Sequence, residues 1–195
     1  GFAPDVKSNQ EALELMTLAV ADSGWVLGKD VMFGFDAAAS EFFNKQAGQY
    51  VLRKDNKLLT SQEMIDFIVD LSQKFPVTVF EDMLHQDDWQ SWTNLTSLLG
   101  SKYQIVGDDL LVTNVKRIQK AIDERACNTL LVKVNQIGSL TETLAAMNLA
   151  RSAGWKNIVS HRSGETEDIT ISHLAVGTGC GQFKSGAPSR GERTA

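Results

Sequence analysis

Six short apolar runs alternate along this chain with longer segments of helical period, and no other feature restricts its fold so tightly. The runs are residues 30–36 (DVMFGFD), 76–82 (PVTVFED), 103–109 (YQIVGDD), 129–134 (TLLVKV), 157–161 (NIVSH) and 181–185 (GQFKS). Most are continuous rather than alternating, as befits parallel strands covered on both faces. Between them, residues 61–75 place Met64, Ile65, Ile68, Val69 and Leu71 along one stripe behind Ser61 as the expected N-cap. Residues 88–100, 114–127 and 139–154 repeat the helical pattern, the last with a Ser139–Glu142 capping box, and residues 8–24 form a helix ahead of the first strand. This repetition predicts βα units around a parallel sheet. No linker rich in Pro, Gly or Ser interrupts it, so residues 1–195 read as a single domain. Residues 42–60 break the rhythm; with a turn signal at Lys54-Asp55-Asn56 they read as an inserted hairpin or a long loop.

Composition narrows the function classes. With 195 residues and 43% of them hydrophobic, the chain can bury a core without staples. Its 24 acidic residues outnumber 19 basic ones, which leaves no electrostatic footprint for duplex nucleic acid. Two cysteines, Cys127 and Cys180, make neither a disulfide framework nor a four-ligand zinc set. No apolar run reaches the roughly 18–20 residues of a membrane span. The opening GFAP, without an initiating Met or a leader, reads as an internal piece of something longer.

Each apolar run ends on a charged or titratable residue: Asp36, Glu81, Asp108, Lys133, His161 and Lys184. From Glu81 onward these lie 27, 25, 28 and 23 residues apart, one βα unit per step. In a (β/α)8 barrel the C-terminal strand ends converge on one face, so six side chains in register would share a site, whereas any one alone could be a solvated edge. Asp36, Glu81 and Asp108 offer only oxygen ligands, which suits a hard divalent cation, Mg2+ above all. Asp82 and Asp109 double two of them, as charges that repel a neighbour, as acceptors behind the ligands, as ligands themselves or as helix N-caps. Lys133, flanked by apolar residues, is either a charge guarding an edge strand or a desolvated amine competent as a general base.

Residues 160–168, SHRSGETED, gather His161, Arg162 and Ser163 before Gly164; a guanidinium fork, a hydroxyl and free N–H groups make a phosphate cradle, or else a polar turn. Lys184 is a second anion contact, with Gly186 permitting close approach. His85 and His173 have no partner at metal-ligand spacing and read as core or surface histidines. Trp89 and Trp92, three apart on a helix, read as packing. GTGCG (177–181) follows a helix instead of opening one and reads as a connector.

The stretches GFDAAASEFF, FEDMLHQDDW, IVGDDLLVTN, LLVKVNQIGSLTET, SHRSGETED and FKSGAPSRGER resemble the C-terminal barrel domain of the enolases, the phosphopyruvate hydratases, in family order over essentially the whole chain. KVNQIG and SHRSGETED are highly specific and set enolases apart from the racemases and lactonising enzymes that share the barrel. The resemblance implies a partial TIM-type (β/α)8 barrel, about six of eight βα units, without the family's N-terminal α+β domain. It also implies reversible dehydration of 2-phosphoglycerate to phosphoenolpyruvate with two Mg2+ ions, in a cytoplasmic homodimer. Carried over by position, Asp36, Glu81 and Asp108 would hold the tighter Mg2+ and Lys133 would remove the C2 proton. Lys184 would contact the substrate carboxylate, Arg162 and Ser163 the phosphate and second Mg2+, and His161 would line the pocket. Met83 departs from the family's Pro or Gly after the Glu-Asp pair, which should modestly reshape the loop after Glu81. The family's glutamate that acts on the leaving hydroxyl would precede Gly1, and the first strands and last helix would lie outside the chain, so the isolated piece is expected to be weak or inactive. The competing reading is a non-catalytic truncated enolase acting as a binding module; another lyase or racemase of the same barrel is disfavoured by the phosphate motif.

Overall fold

A computed structural model describes residues 4–162, 164, 166–185 and 191–193. They pack as two compact units, one up to Ile105 and one from Val106.

The first unit opens with α1 (Asn9–Asp22), whose N-cap Ser8 accepts the Glu11 N–H at 3.0 Å. Strand β1 (Phe33–Asp36) runs parallel to β5 (Val77–Glu81), with Asp36 opposite Glu81 in the register. Between these strands the 42–60 segment folds into an antiparallel sheet of β2 (Phe43–Asn44), β3 (Gln49–Leu52) and β4 (Lys57–Leu59). The β3–β4 turn falls at the expected Lys54-Asp55-Asn56, where Asn56 adopts φ +50°, a left-handed conformation that Asn tolerates. Helix α2 (Ser61–Lys74) buries Met64, Ile65, Ile68 and Leu71, while Val69 is only half-buried. Its N-cap is Thr60, one residue before the expected Ser61: the Thr60 hydroxyl accepts the Glu63 N–H (3.3 Å) and the Glu63 carboxylate accepts the Thr60 N–H (2.8 Å). Ser61 is left to donate its hydroxyl to Asp88 at 2.6 Å. Asp88 in turn caps α3 (Trp89–Leu99), which buries Trp92 and Leu95. Burial of each such large side chain is worth ~1.5–3 kcal/mol and fixes both helices against the core.

In the second unit β6 (Gln104–Gly107), β7 (Thr129–Val132), β8 (Lys156–Ser160) and β9 (Phe183–Lys184) pair in parallel in that order, through Val106↔Thr129, Val132↔Val159 and Ser160↔Lys184. All four residues of β7 are buried, the mark of a strand covered on both faces. Helix α4 (Val115–Glu124) is capped by Asn114 and packs against α6 (Leu140–Ser152), which also lies on β7 and β8. Small residues Ala146 and Ala150 on the buried face of α6 allow that close approach. The Ser139 hydroxyl accepts the Glu142 N–H at 3.2 Å, which makes it the expected N-cap, and it donates to the Glu142 carboxylate at 2.6 Å, a hydroxyl bond in place of the backbone bond of a capping box. A one-turn helix, α5 (Val134–Ile137), and α7 (Thr170–Thr178) complete the unit. All six expected strands and the five expected helices form, with ends trimmed by a few residues. Among the described residues no helix is long and apolar enough to cross a membrane.

Candidate active site

Asp36, Glu81 and Lys184 end their strands, Asp108, Lys133 and His161 follow theirs directly, and Arg162 stands one residue further on. In the first unit Asp36 and Glu81 are the last residues of adjacent parallel strands and stand opposite one another. The loops after them are tied together: Ala37 N–H donates to the Glu81 carbonyl (3.0 Å) and Ala39 N–H to the Asp82 carbonyl (2.9 Å). Asp36 is exposed, accepts the Ala38 N–H at 3.1 Å, and lines a cavity of about 670 Å³ with Phe42, Arg53, Lys54 and Met83. Glu81 is only 3% exposed, so its carboxylate is drawn out of bulk water. Asp82, 2% exposed, adopts φ +46°, and Met83 after it is buried. A non-glycine residue in that region costs on the order of 1–3 kcal/mol and survives only where its surroundings hold it. The helix-cap reading of Asp82 and Asp109 does not hold, because α3 is capped by Asp88 and α4 by Asn114.

Beside the Asp36–Glu81 pair, Tyr50 and Trp92 clamp the backbone of His85. The His85 N–H donates to the Tyr50 hydroxyl (2.8 Å) and the Trp92 indole N–H donates to the His85 carbonyl (3.1 Å). Burial pushes the Tyr50 phenol above its ordinary value, against the opposing effect of that His85 hydrogen bond. His85 itself is buried against Phe43, with ring centroids 4.6 Å apart, so its role is packing.

In the second unit Asp108 and Lys133 meet. Asp108 is 7% exposed, one residue beyond β6; Lys133 stands one residue beyond β7, and its ammonium donates to Asp108 Oδ2. The 129–134 run therefore ends as a strand at Val132, and Lys133 becomes the N-cap of α5, which Gly138 closes at φ +97°. Two residues that the sequence reading passed over complete the arrangement. Gln136 Nε2 donates to Asp108 Oδ1 at 3.0 Å, and Thr113 links to both Gln136 (3.2 Å) and the Lys133 backbone N–H (2.9 Å). Val112 and Thr113 are both left-handed, at φ +43° and +53°, which is rare for β-branched residues.

Further along this unit, the His161 N–H donates to the Lys184 carbonyl at 2.9 Å, so these candidates also sit on paired strand ends. His161 and Arg162 line a cavity of about 420 Å³ with Ser160, Gly164 and Thr166. Arg193 braces its rim, donating to the Asp168 carbonyl (2.6 Å) and the Thr166 hydroxyl (3.1 Å). The Thr170 backbone N–H holds the Asp168 carboxyl below the ordinary carboxylate range. Ser163 and Gly186 lie outside the described residues. His173 is exposed on α7, and GTGCG begins inside the last turn of that helix, with Gly179 as its left-handed C-cap.

Carboxylates at strand ends, a lysine held on one of them, and an arginine-lined cavity next to a histidine form a set that the fold alone does not require. The model of one protein family, the enolase C-terminal TIM barrel domain, matches residues 1–195. The chain belongs to that family. The expected fold class is thereby borne out: an α/β chain whose βα units carry parallel strands, part of a TIM-type barrel. Enolase-superfamily sites work with a Lys or His base and one or two Mg2+ ions. Asp36, Glu81 and Asp108 each offer only carboxylate oxygens, the donor type that suits a hard divalent cation.

Proposed function

We propose that this enolase-family chain is the barrel portion of a phosphopyruvate hydratase that interconverts 2-phosphoglycerate and phosphoenolpyruvate. The observation that carries the reading is the Lys133–Asp108 pair on adjacent strand ends; an amine beside a carboxylate supports Lys133 as base and Asp108 as ligand. In this reading Lys133 Nζ, in its neutral form, takes the C2 proton, and the C3 hydroxyl departs as water once protonated. Asp36, Glu81 and Asp108 hold the tighter of two Mg2+ ions; Arg162 and Ser163 hold the substrate phosphate with the second. Lys184 meets the substrate carboxylate, and His161 lines the pocket. When bound, the two ions supply positive charge where negative charge develops on the substrate carboxylate after C2 proton loss. KVNQIG and SHRSGETED support an enolase over other lyases and racemases of the superfamily, the second because a guanidinium followed by a hydroxyl suits a phosphate. The residues act as one domain of a cytoplasmic homodimer in this reading.

The test is turnover of 2-phosphoglycerate by the full-length protein with Mg2+, in wild type and Lys133→Ala. Mg2+-dependent formation of phosphoenolpyruvate that Lys133→Ala abolishes upholds the proposal. No turnover in the wild type would favour the binding-module reading, and undiminished turnover in Lys133→Ala would remove Lys133 as the base.

A further inference from the structure

We propose that Gln136 and Thr113 are positioning residues that fix which carboxylate oxygen of Asp108 faces Lys133. Four groups close a ring through side chains and one backbone N–H. Lys133 Nζ donates to Asp108 Oδ2, Gln136 Nε2 donates to Asp108 Oδ1 (3.0 Å), the Thr113 hydroxyl donates to Gln136 Oε1 (3.2 Å), and the Lys133 N–H donates to that same hydroxyl (2.9 Å).

The order of donors in this ring is not interchangeable. Thr113 is fully buried, so its hydroxyl must find partners inside the protein. Once its oxygen accepts from Lys133, its proton is free to donate, and it selects the oxygen end of the Gln136 amide. The nitrogen end is then left to face Asp108; a flipped amide would set two acceptors against each other at Asp108 and two donors against each other at Thr113. With Oδ1 held by the amide, Asp108 turns Oδ2 alone toward the lysine. Thr113 keeps this place at φ +53°, next to Val112 at +43°, a backbone that neither β-branched residue favours. Gln136 is anchored in turn because α5 starts at Lys133: the Gln136 N–H donates to the Lys133 carbonyl at 3.0 Å. In this arrangement Gln136 and Thr113 act through Asp108 and Lys133.

This inference rests on the reading of Lys133 as base and Asp108 as metal ligand. The probe is Mn2+ bound to the full-length protein, followed by electron paramagnetic resonance, alongside steady-state kinetics with 2-phosphoglycerate and thermal unfolding. Partners behind a metal ligand typically change affinity or activity by about 10- to 100-fold, so Gln136→Met and Thr113→Val are each expected to weaken Mn2+ binding at least about tenfold. Each should lower kcat by a similar factor with KM changed less than about twofold, and Thr113→Ser, which keeps the hydroxyl, should restore both. The double variant should lose no more than the worse single one, because the two residues act in series. Wild-type Mn2+ affinity and kcat in Gln136→Met or Thr113→Val, with Asp108→Asn losing Mn2+, would overturn the inference while leaving the function intact. A fall in melting temperature with unchanged Mn2+ affinity would overturn it equally, as a purely structural role. If Asp108→Asn binds Mn2+ like wild type, the metal assignment fails and the inference falls with it. Thr113→Val keeps the branched shape of Thr113 and removes only the hydroxyl, so it still decides the matter should Gln136→Met not fold.

Discussion

Lys133 and Asp108, 25 residues apart in sequence, meet as an ion pair because each directly follows one of two neighbouring parallel strands. In the proposed reaction Lys133 is the base, and Lys133→Ala removes its amine. Lys133→Ala is expected to lower turnover of 2-phosphoglycerate by about 10²- to 10⁴-fold, the usual span for a positioned base. Steady-state kinetics with melting temperature as control check this; a loss below about threefold in a folded variant refutes it.

Gly107 precedes Asp108 where there is no room for a side chain. A Cβ added there would stand 2.7 Å from Leu111 Cγ and 2.9 Å from Leu111 Cδ1, and Leu111 is itself fully buried. Since Cγ is the branch point of that side chain, the leucine or the strand must shift. Gly107→Ala should cost ~1–3 kcal/mol as an overpacked core does, read as a lower denaturant midpoint at unchanged slope.

Tyr50 supports two predictions with one substitution. In Tyr50→Phe the buried His85 N–H loses its acceptor, at a cost of ~1–3 kcal/mol near neutral pH. The second concerns alkali. Burial raises the folded phenol above its ordinary value of about 10, so above that pH the unfolded chain gives up its proton first. This contribution to stability is present in full below about pH 10 and lost as pH rises toward the folded value. Urea midpoints across pH 8–11 should therefore fall more steeply in wild type than in Tyr50→Phe; parallel curves would contradict the assignment.

The start of α2 is a reciprocal cap, and Thr60→Ala should remove ~0.5–2 kcal/mol of stability. The Thr60 backbone N–H also holds the Glu63 carboxyl below its ordinary range. The cap thus retains its full strength above the ordinary glutamate value and weakens as acid titrates Glu63. The Thr60 hydroxyl adds its own hydrogen bond to that carboxylate at 2.8 Å, which Thr60→Ala lacks, so the gap between wild type and variant in thermal unfolding should narrow with falling pH.

Strands and helices were legible because continuous apolar runs and amphipathic stripes are written locally. What sequence misplaced was settled by single contacts. Thr60 and Ser61 can both cap a helix, and the choice follows from Ser61 being drawn to Asp88, 27 residues away. Lys133 between two valines reads as strand, yet the chain bends into α5 directly after Val132. Among the candidate residues, Asp36 with Glu81, Asp108 with Lys133 and His161 with Lys184 could be paired from the βα spacing alone. Gln136 and Thr113 could not: their link spans 23 residues and depends on a left-handed turn at Val112 and Thr113 that no propensity predicts.

The strands of the second unit pair strictly in chain order, each with the one made just before it. A chain leaving the ribosome thus always finds its next partner already synthesised, 23 to 27 residues upstream at Val106↔Thr129 and Thr129↔Lys156. Assembly can advance vectorially, one βα unit per step, without waiting for a distant segment. Lys133 would then join Asp108 while residues 160–168 were still untranslated.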